Sequence, residues 1–126
     1  MILCDTNILI EFYKNNVEIT EELRRIGPNC LAISPITQAE LYFGALNKVE
    51  LQRIKRHLAL LSSFPLDIPI STRFLQLMET YSLSHKLAIP DALIAATALS
   101  HDLVLYTLNL KDFRFISGLK LHRPTV

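Results

Sequence analysis

Glycine is scarce in this chain. Only three occur among 126 residues. None stands in a Gly-x-Gly-x-x-Gly or Walker arrangement, so a glycine loop that cradles phosphates is excluded. Cysteine is scarcer: Cys4 and Cys30 are the two, and no C-x-x-C joins them. Both lie in apolar settings and read as small buried residues of a cytosolic protein, not as a disulfide framework. No apolar run approaches the ~18 residues that a membrane helix needs, so no membrane contact is expected. The start, MILCD, has no basic stretch and reaches an acid too early for a signal peptide. Charge of one sign is also missing, with a net of +1. A bulk electrostatic grip on nucleic acid is therefore not indicated, and any basic surface must be local. Internal repeats and low-complexity tracts are absent.

What is present is apolar. Half of the residues are hydrophobic and 20% are charged, somewhat below the usual ~25%. The length suits one domain, 1–126, with a substantial core. An apolar surplus of this kind suggests a partner protein or a dimer.

The apolar runs predict alternating elements. Strands are expected at 1–5, 30–34 and 103–107, with a weak one near 119–122. Helices are expected at 7–14, 18–26, 37–46, 49–61, 71–86 and 91–100. Gly27-Pro28 stops the second helix. Leu51, Ile54, Leu58 and Leu61 make a helical stripe. The stretch from Phe64 to Ile70 alternates around Pro65 and Pro69 in the manner of a short strand. The strands are continuous apolar runs without in–out alternation, which predicts a parallel sheet covered on both faces, an α/β fold.

Acids fall at telling places in this pattern. Asp5 ends the first strand, Glu40 lies in the first turn of the helix after the second, and Asp112 follows LVLYT. Asp91 begins the helix that feeds that strand. Ligands of open parallel sheets bind at the carboxyl ends of the strands. Each acid also has a structural reading. Thr37-Gln38-Ala39-Glu40 fits a capping box and Asn109–Asp112 resembles another; Asp5 and Asp91 suit the start of a helix. Capping does not explain why these helix starts all receive acids, with no basic or glycine-rich phosphate binder among them. Several carboxylates in one site repel unless a cation or protons lie between them. Oxygen-only ligands favour Mg²⁺ or Mn²⁺ over zinc.

These residues carry a family resemblance. DTNILIEFY with Asp5, TQAELYFGAL with Glu40, PDALIAATAL with Asp91, and LYTLNLKDF with Thr107, Asn109 and Asp112 resemble, in order, the motifs of PIN domains. The similarity is greatest to VapC-type toxins of toxin–antitoxin modules and runs from residue 3 to about 115. It implies a three-layer α/β/α fold with a central parallel sheet and Mg²⁺- or Mn²⁺-dependent endoribonuclease activity. It implies catalytic and metal-holding roles for Asp5, Glu40 and Asp91. The fourth acid of the family stands at the position of Asn109 or of Asp112; here Asp112 is the carboxylate, and Asn109 is left to orient a water. Thr6, Asn7 and Thr107 match supporting polar positions. The resemblance further implies an antitoxin partner, a homodimer and a cytoplasmic setting.

Metal ions can activate water, neutralise the phosphate and stabilise the leaving 3′-oxygen, so no histidine base is required. His57, His85, His101 and His122 lie outside the motif tracts and are expected to be structural or on the surface. Lys48, Arg53, Lys55, Arg56 and His57 oppose the apolar stripe of their helix, either as a solvated face or as an RNA-facing ridge. Lys86 and Lys111 lie near two of the acids in sequence and could meet phosphates. Phe12, Tyr13, Tyr42 and Phe43 are expected in the core or an interface. A signalling receiver would need an adjacent acidic pair near the first strand, and a haloacid-dehalogenase phosphatase would need D-x-D; D-T-N meets neither. A PIN-type module without catalysis, binding RNA or protein, is the remaining alternative.

Overall fold

The computed structural model describes residues 1–125. Its sheet runs through β1 (Ile2–Cys4), β2 (Leu31–Ile33), β3 (Ser62–Ser63), β4 (Val104–Tyr106) and β5 (Lys120–Leu121). All pairings are parallel, in the spatial order β3-β2-β1-β4-β5. The helices are α1 (Thr6–Tyr13), α2 (Val17–Ile26), α3 (Pro35–Phe43), α4 (Lys48–Leu58), α5 (Ile68–His85) and α6 (Ile89–Ser100). They cover both faces of the sheet, giving three α/β/α layers.

The strand sequences explain the layering. Successive side chains of a strand point to opposite faces. Leu3, Ala32 and Leu105 enter one core with α5 and α6, where Ile70, Leu77, Ile94 and Phe113 are buried. Cys4, Leu31, Ile33 and Tyr106 enter the other core with α1, α2, α3 and α4. Both faces are apolar, so the strands read as unbroken apolar runs.

Several boundaries differ from the sequence-based expectation. Helix α3 begins at Pro35, because Ser34 caps it by accepting the Thr37 N–H at 3.4 Å. The Thr37–Glu40 capping box is therefore absent, and Glu40 sits in the second turn. The strand expected from Phe64 to Ile70 is the pair Ser62–Ser63 instead. Asp67 caps α5 through the Ile70 N–H, and Pro69 falls in the first turn, where its missing N–H costs nothing. Cys4 is buried, but Cys30 is exposed. Cys30 ends a single 3-10 turn, Pro28–Cys30, ahead of the first residue that pairs in β2. Gly27 takes a φ of 86° between α2 and that turn, a conformation that favours glycine.

Chain order fixes where a ligand can enter. From β1 the chain moves outward to β2 and β3, then returns to β4 on the other side of β1. The connections diverge above the carboxyl ends of β1 and β4, which opens a crevice there.

Candidate active site

Asp5 stands at that crevice. It follows Cys4, whose register partner is Tyr106, and its N–H donates to the Tyr106 carbonyl at 2.9 Å. The next residue on the neighbouring strand is Thr107, so the fold places these two side by side. The Thr107 hydroxyl donates to Asp5 Oδ2 at 2.7 Å. Asp5 Oδ1 accepts the Thr6 N–H at 2.8 Å, which makes Asp5 the N-cap of α1. Asn7 Nδ2 adds a bond to Oδ2 at 3.2 Å. Asp5 is thus an N-cap that also stands at the carboxyl end of β1, so the capping reading does not exclude a ligand role. It is only 5% exposed. Burial raises its carboxyl above the ordinary range, the bonds from Thr107, Thr6 and Asn7 oppose that rise, and Glu40 adds to it.

The supporting residues are themselves braced. Thr107 Oγ1 accepts the Asn109 N–H at 3.1 Å, which leaves its own proton directed to Asp5. Asn7 Oδ1 accepts the Leu108 N–H at 3.2 Å. Thr6 donates its hydroxyl to Glu40 Oε1 at 2.7 Å and lies 3.3 Å from the Thr37 hydroxyl. Thr37 is fully buried, and sequence reading missed this role. The available signal was its position three residues before Glu40, on the same helical face.

Asp91 lies in the first turn of α6, where Ala88 offers no side-chain cap. Burial first, then the charges of Asp5, Asp112 and Glu40, push its carboxyl up to about 6. Asp5, Asp112 and Glu40 thus lie near enough for their charges to act on Asp91, although 35, 51 and 21 residues separate the four acids in the chain. Asp112 ends the 3-10 turn Leu110–Asp112, and Asn109 precedes that turn with no side-chain capping bond. Asn109 contributes through its backbone, whereas Asp112 contributes charge.

Among the described residues, no Lys, Arg or His lies within ion-pair distance of Asp5, Glu40, Asp91 or Asp112. Four carboxylates without a counter-charge suit a hard divalent cation held by oxygen. As they stand, no three acidic, His or Cys side chains among the described residues are drawn together tightly enough to hold a metal ion. Glu40 is turned to Thr6 and Asp5 is fixed by its three donors, so the acids remain spread.

The basic residues divide. Arg53 lines a groove of about 580 Å³ beside Glu40, together with Tyr13, Lys14, Leu46 and Glu50. Lys48, Lys55 and Arg56 are exposed along α4. His57 does not join them: its Nδ1 is 2.8 Å from the Tyr13 hydroxyl and its ring stacks on Phe12. Lys86 ends α5 in the left-handed conformation at φ 55°, and Lys111 precedes Asp112. Lys14 was not singled out by sequence, because it becomes a groove residue only when α1 meets α4. Of the aromatic residues, Phe12, Tyr13 and Tyr42 pack against the core, while Phe43 is 94% exposed. His122 Nε2 donates to Glu22 Oε2 at 2.6 Å and has no part in the crevice.

Known proteins are similar to this chain in sequence and fold. Ribonuclease VapC10 of Mycobacterium tuberculosis is 37% identical, over 98% of this chain and 98% of that protein. Ribonuclease VapC1 of Rickettsia felis is 32% identical, over 95% of this chain and 93% of its own length. A toxin–antitoxin complex from Klebsiella pneumoniae contains a chain that superposes with a TM-score of 0.82 at 37% identity, over 94% of this chain and 95% of that one. The PIN domain family matches residues 2–117, a span that holds every strand but the last and all four acids of the crevice. With its three-layer parallel fold and its acids at the switch point of the sheet, this chain belongs to the PIN domain family.

Proposed function

We propose that this protein is a cytoplasmic, metal-dependent endoribonuclease and the toxin of a type II toxin–antitoxin pair. One observation carries the proposal: Asp5, Glu40, Asp91 and Asp112 arrive from four separate segments at one crevice, and no cation among the described residues pairs with any of them. The relatives named as ribonucleases support the substrate class.

In this mechanism Asp5, Glu40, Asp91 and Asp112 would hold Mg²⁺ or Mn²⁺. A bound divalent ion would supply an activated water, charge relief at the phosphate and stabilisation of the leaving 3′-oxygen. The protein's own part is positional. Thr107, Asn7 and the Thr6 N–H fix Asp5, and Thr6 orients Glu40. Asp91 presents its carboxylate from the rigid first turn of α6, and Asp112 closes the set from the turn after β4. Lys48, Arg53, Arg56, Lys86 and Lys111 meet RNA phosphates around the crevice. The products carry a 5′-phosphate and a 3′-hydroxyl; a 2′,3′-cyclic phosphate would overturn the mechanism.

The partner is an antitoxin protein. Exposed Leu46, at 84%, lines the groove beside Glu40, exposed Phe43, at 94%, lines a second pocket that Glu40 also borders, and together they offer it an apolar seat. The Klebsiella toxin–antitoxin complex supports a partner of this kind. A homodimer accounts for further exposed apolar residues such as Leu75 and Leu83.

A second reading is a PIN-type module that binds RNA or protein without cutting. The spread of the carboxylates favours it. One experiment separates the two: incubate antitoxin-free, folded protein with total cellular RNA, in Mg²⁺, in Mn²⁺ and in chelator, beside Asp91→Asn. Metal-dependent cutting lost in Asp91→Asn supports the nuclease. No cutting in either metal moves the assignment to the binding module.

A further inference from the structure

An aromatic stack outside the carboxylate crevice has no part in the mechanism above. His85, the last residue of α5, lies flat on Phe115, with ring centroids 4.1 Å apart and planes inclined by 17°. Tyr81 meets both rings at an angle, at 5.7 Å from His85 and 5.1 Å from Phe115. Every part of this cluster is held. Phe115 packs against the α5–α6 core. The Tyr81 hydroxyl accepts the Ser117 N–H at 3.1 Å. Ser84 Oγ lies 2.7 Å from His85 Nδ1, which fixes the rotation of the imidazole.

The stack is finished on one side only. Phe115 is half-buried and covers one face of His85, yet His85 itself is exposed. Core packing accounts for Phe115. A histidine at a helix C-terminus is also favoured by the helix dipole. Neither requires the imidazole to be stacked and locked with its outer face in water. A flat, preoriented ring with a free face suits one ligand class, another flat π-system.

Its surroundings narrow that class. Lys86 follows His85, Arg114 precedes Phe115, and Lys111 lies one turn back. All three are exposed, and none forms an ion pair among the described residues. Aromatic faces flanked by unpaired cations are the recurring equipment for binding single-stranded nucleic acid. The stack is also close to the crevice. Phe115 is three residues beyond Asp112, at most about 11 Å of extended chain, and the hydrogen-bonded turn that runs on from Asp112 shortens it. His85 is six residues before Asp91.

We infer that the His85–Phe115 stack is a nucleobase platform, taking one unpaired base of single-stranded RNA next to the cleavage site while Lys86 and Arg114 meet the adjoining phosphates. This subsite rests on the ribonuclease reading and extends it: the enzyme selects unpaired RNA because a paired base has no free face to offer. It tolerates different bases, since stacking does not read hydrogen-bonding edges.

The test compares wild type, His85→Ala and His85→Phe. Phe115 is left alone because it packs the core. Binding is measured in chelator, with a short single-stranded RNA carrying 2-aminopurine, whose fluorescence is quenched on stacking. Cleavage of the same RNA is measured in Mn²⁺. His85→Ala should bind about tenfold more weakly, lose the quench, and raise KM with kcat held. His85→Phe should restore all three. A fully paired RNA duplex should bind wild type and His85→Ala alike. The inference is overturned if wild type cuts the RNA and His85→Ala matches it, or if phenylalanine does not rescue; the ribonuclease reading then stands. It is also overturned if RNA binding is unchanged while His85→Ala shifts the sedimentation of the protein, which would make the patch a contact between copies. Wild type that neither binds nor cuts RNA defeats both.

Discussion

Thr107 and Asp5 are 102 residues apart in sequence and 2.7 Å apart in space, hydroxyl to carboxylate. Their contact follows from sheet register: Cys4 faces Tyr106, and each residue of the bonded pair comes next. Because Thr107 Oγ1 already accepts the Asn109 N–H, its proton has one direction left. This bond opposes the rise that burial imposes on the Asp5 carboxyl and aims it. Removing this donor should show its value. Thr107→Val keeps the shape but leaves Asp5 short of one hydrogen bond, so its carboxyl rises further. Mn²⁺ affinity by calorimetry and cleavage rate at neutral pH should each fall about 10- to 100-fold. Unchanged affinity would mean that Thr6 and Asn7 suffice.

Asp91 should trade stability for function. Its carboxyl is raised from 3.8 to about 6. The folded, metal-free protein therefore holds more protons than the unfolded chain across that window. The resulting stabilisation is full below the lower value and is lost as pH rises through the upper one. Asp91→Asn should abolish cleavage yet melt higher than wild type at pH 7 without metal. Allowing for solvent screening of a half-buried group, the gain is roughly 1 kcal/mol, or about 4 °C. Thermal melts in chelator across this pH range should show a flatter slope for the variant.

The fourth acid can be assigned by contrast. Asp112 adds charge to the crevice, whereas Asn109 serves Thr107 through its backbone N–H. Asp112→Asn should lower cleavage at least about tenfold, while Asn109→Ala should change it by much less. The reverse result would give the role to Asn109.

A separate carboxylate governs acid stability. Glu22 in α2 is fully buried and bonded to Arg25 at 2.8 and 3.0 Å, to His122 at 2.6 Å and to both Thr125 donors. Arg25 foremost, then His122 and Thr125 against the opposing effect of burial, hold its carboxyl down to about 2. The stability it confers is complete above its ordinary value of 4.5 and disappears as pH falls from there towards 2. Glu22→Gln should cost about 3 kcal/mol at pH 7 in urea unfolding and should flatten the loss of stability below pH 4.5.

Sequence patterns carried the layout of this protein. Apolar runs located β1, β2 and β4, the stripe of Leu51, Ile54, Leu58 and Leu61 located α4, the Gly27-Pro28 stop ended α2, and Asp5, Glu40 and Asp112 fell beyond the ends of those strands. These features are local: side-chain period and strand length can be read from neighbours along the chain. The boundaries that moved did so because a cap was hidden. Ser34 extended α3 back to Pro35, and Asp67 drew Ile68–Ile70 into α5. Cys30 looked buried by its neighbours, but the sheet begins one residue later.

By itself, then, the sequence determined the alternation of strands and helices, the two-faced apolar strands, the order of the motifs and the identity of the four acids. Tertiary structure alone decided which groups meet. The parallel register set Thr107 against Asp5, the approach of α3 to α1 set Thr6 against Glu40, and the packing of α5 on the chain after β4 stacked His85 on Phe115. Such pairings depend on strand order and helix placement. Those are settled by burying both faces of the sheet at once, a balance summed over the whole chain that no short stretch of residues contains.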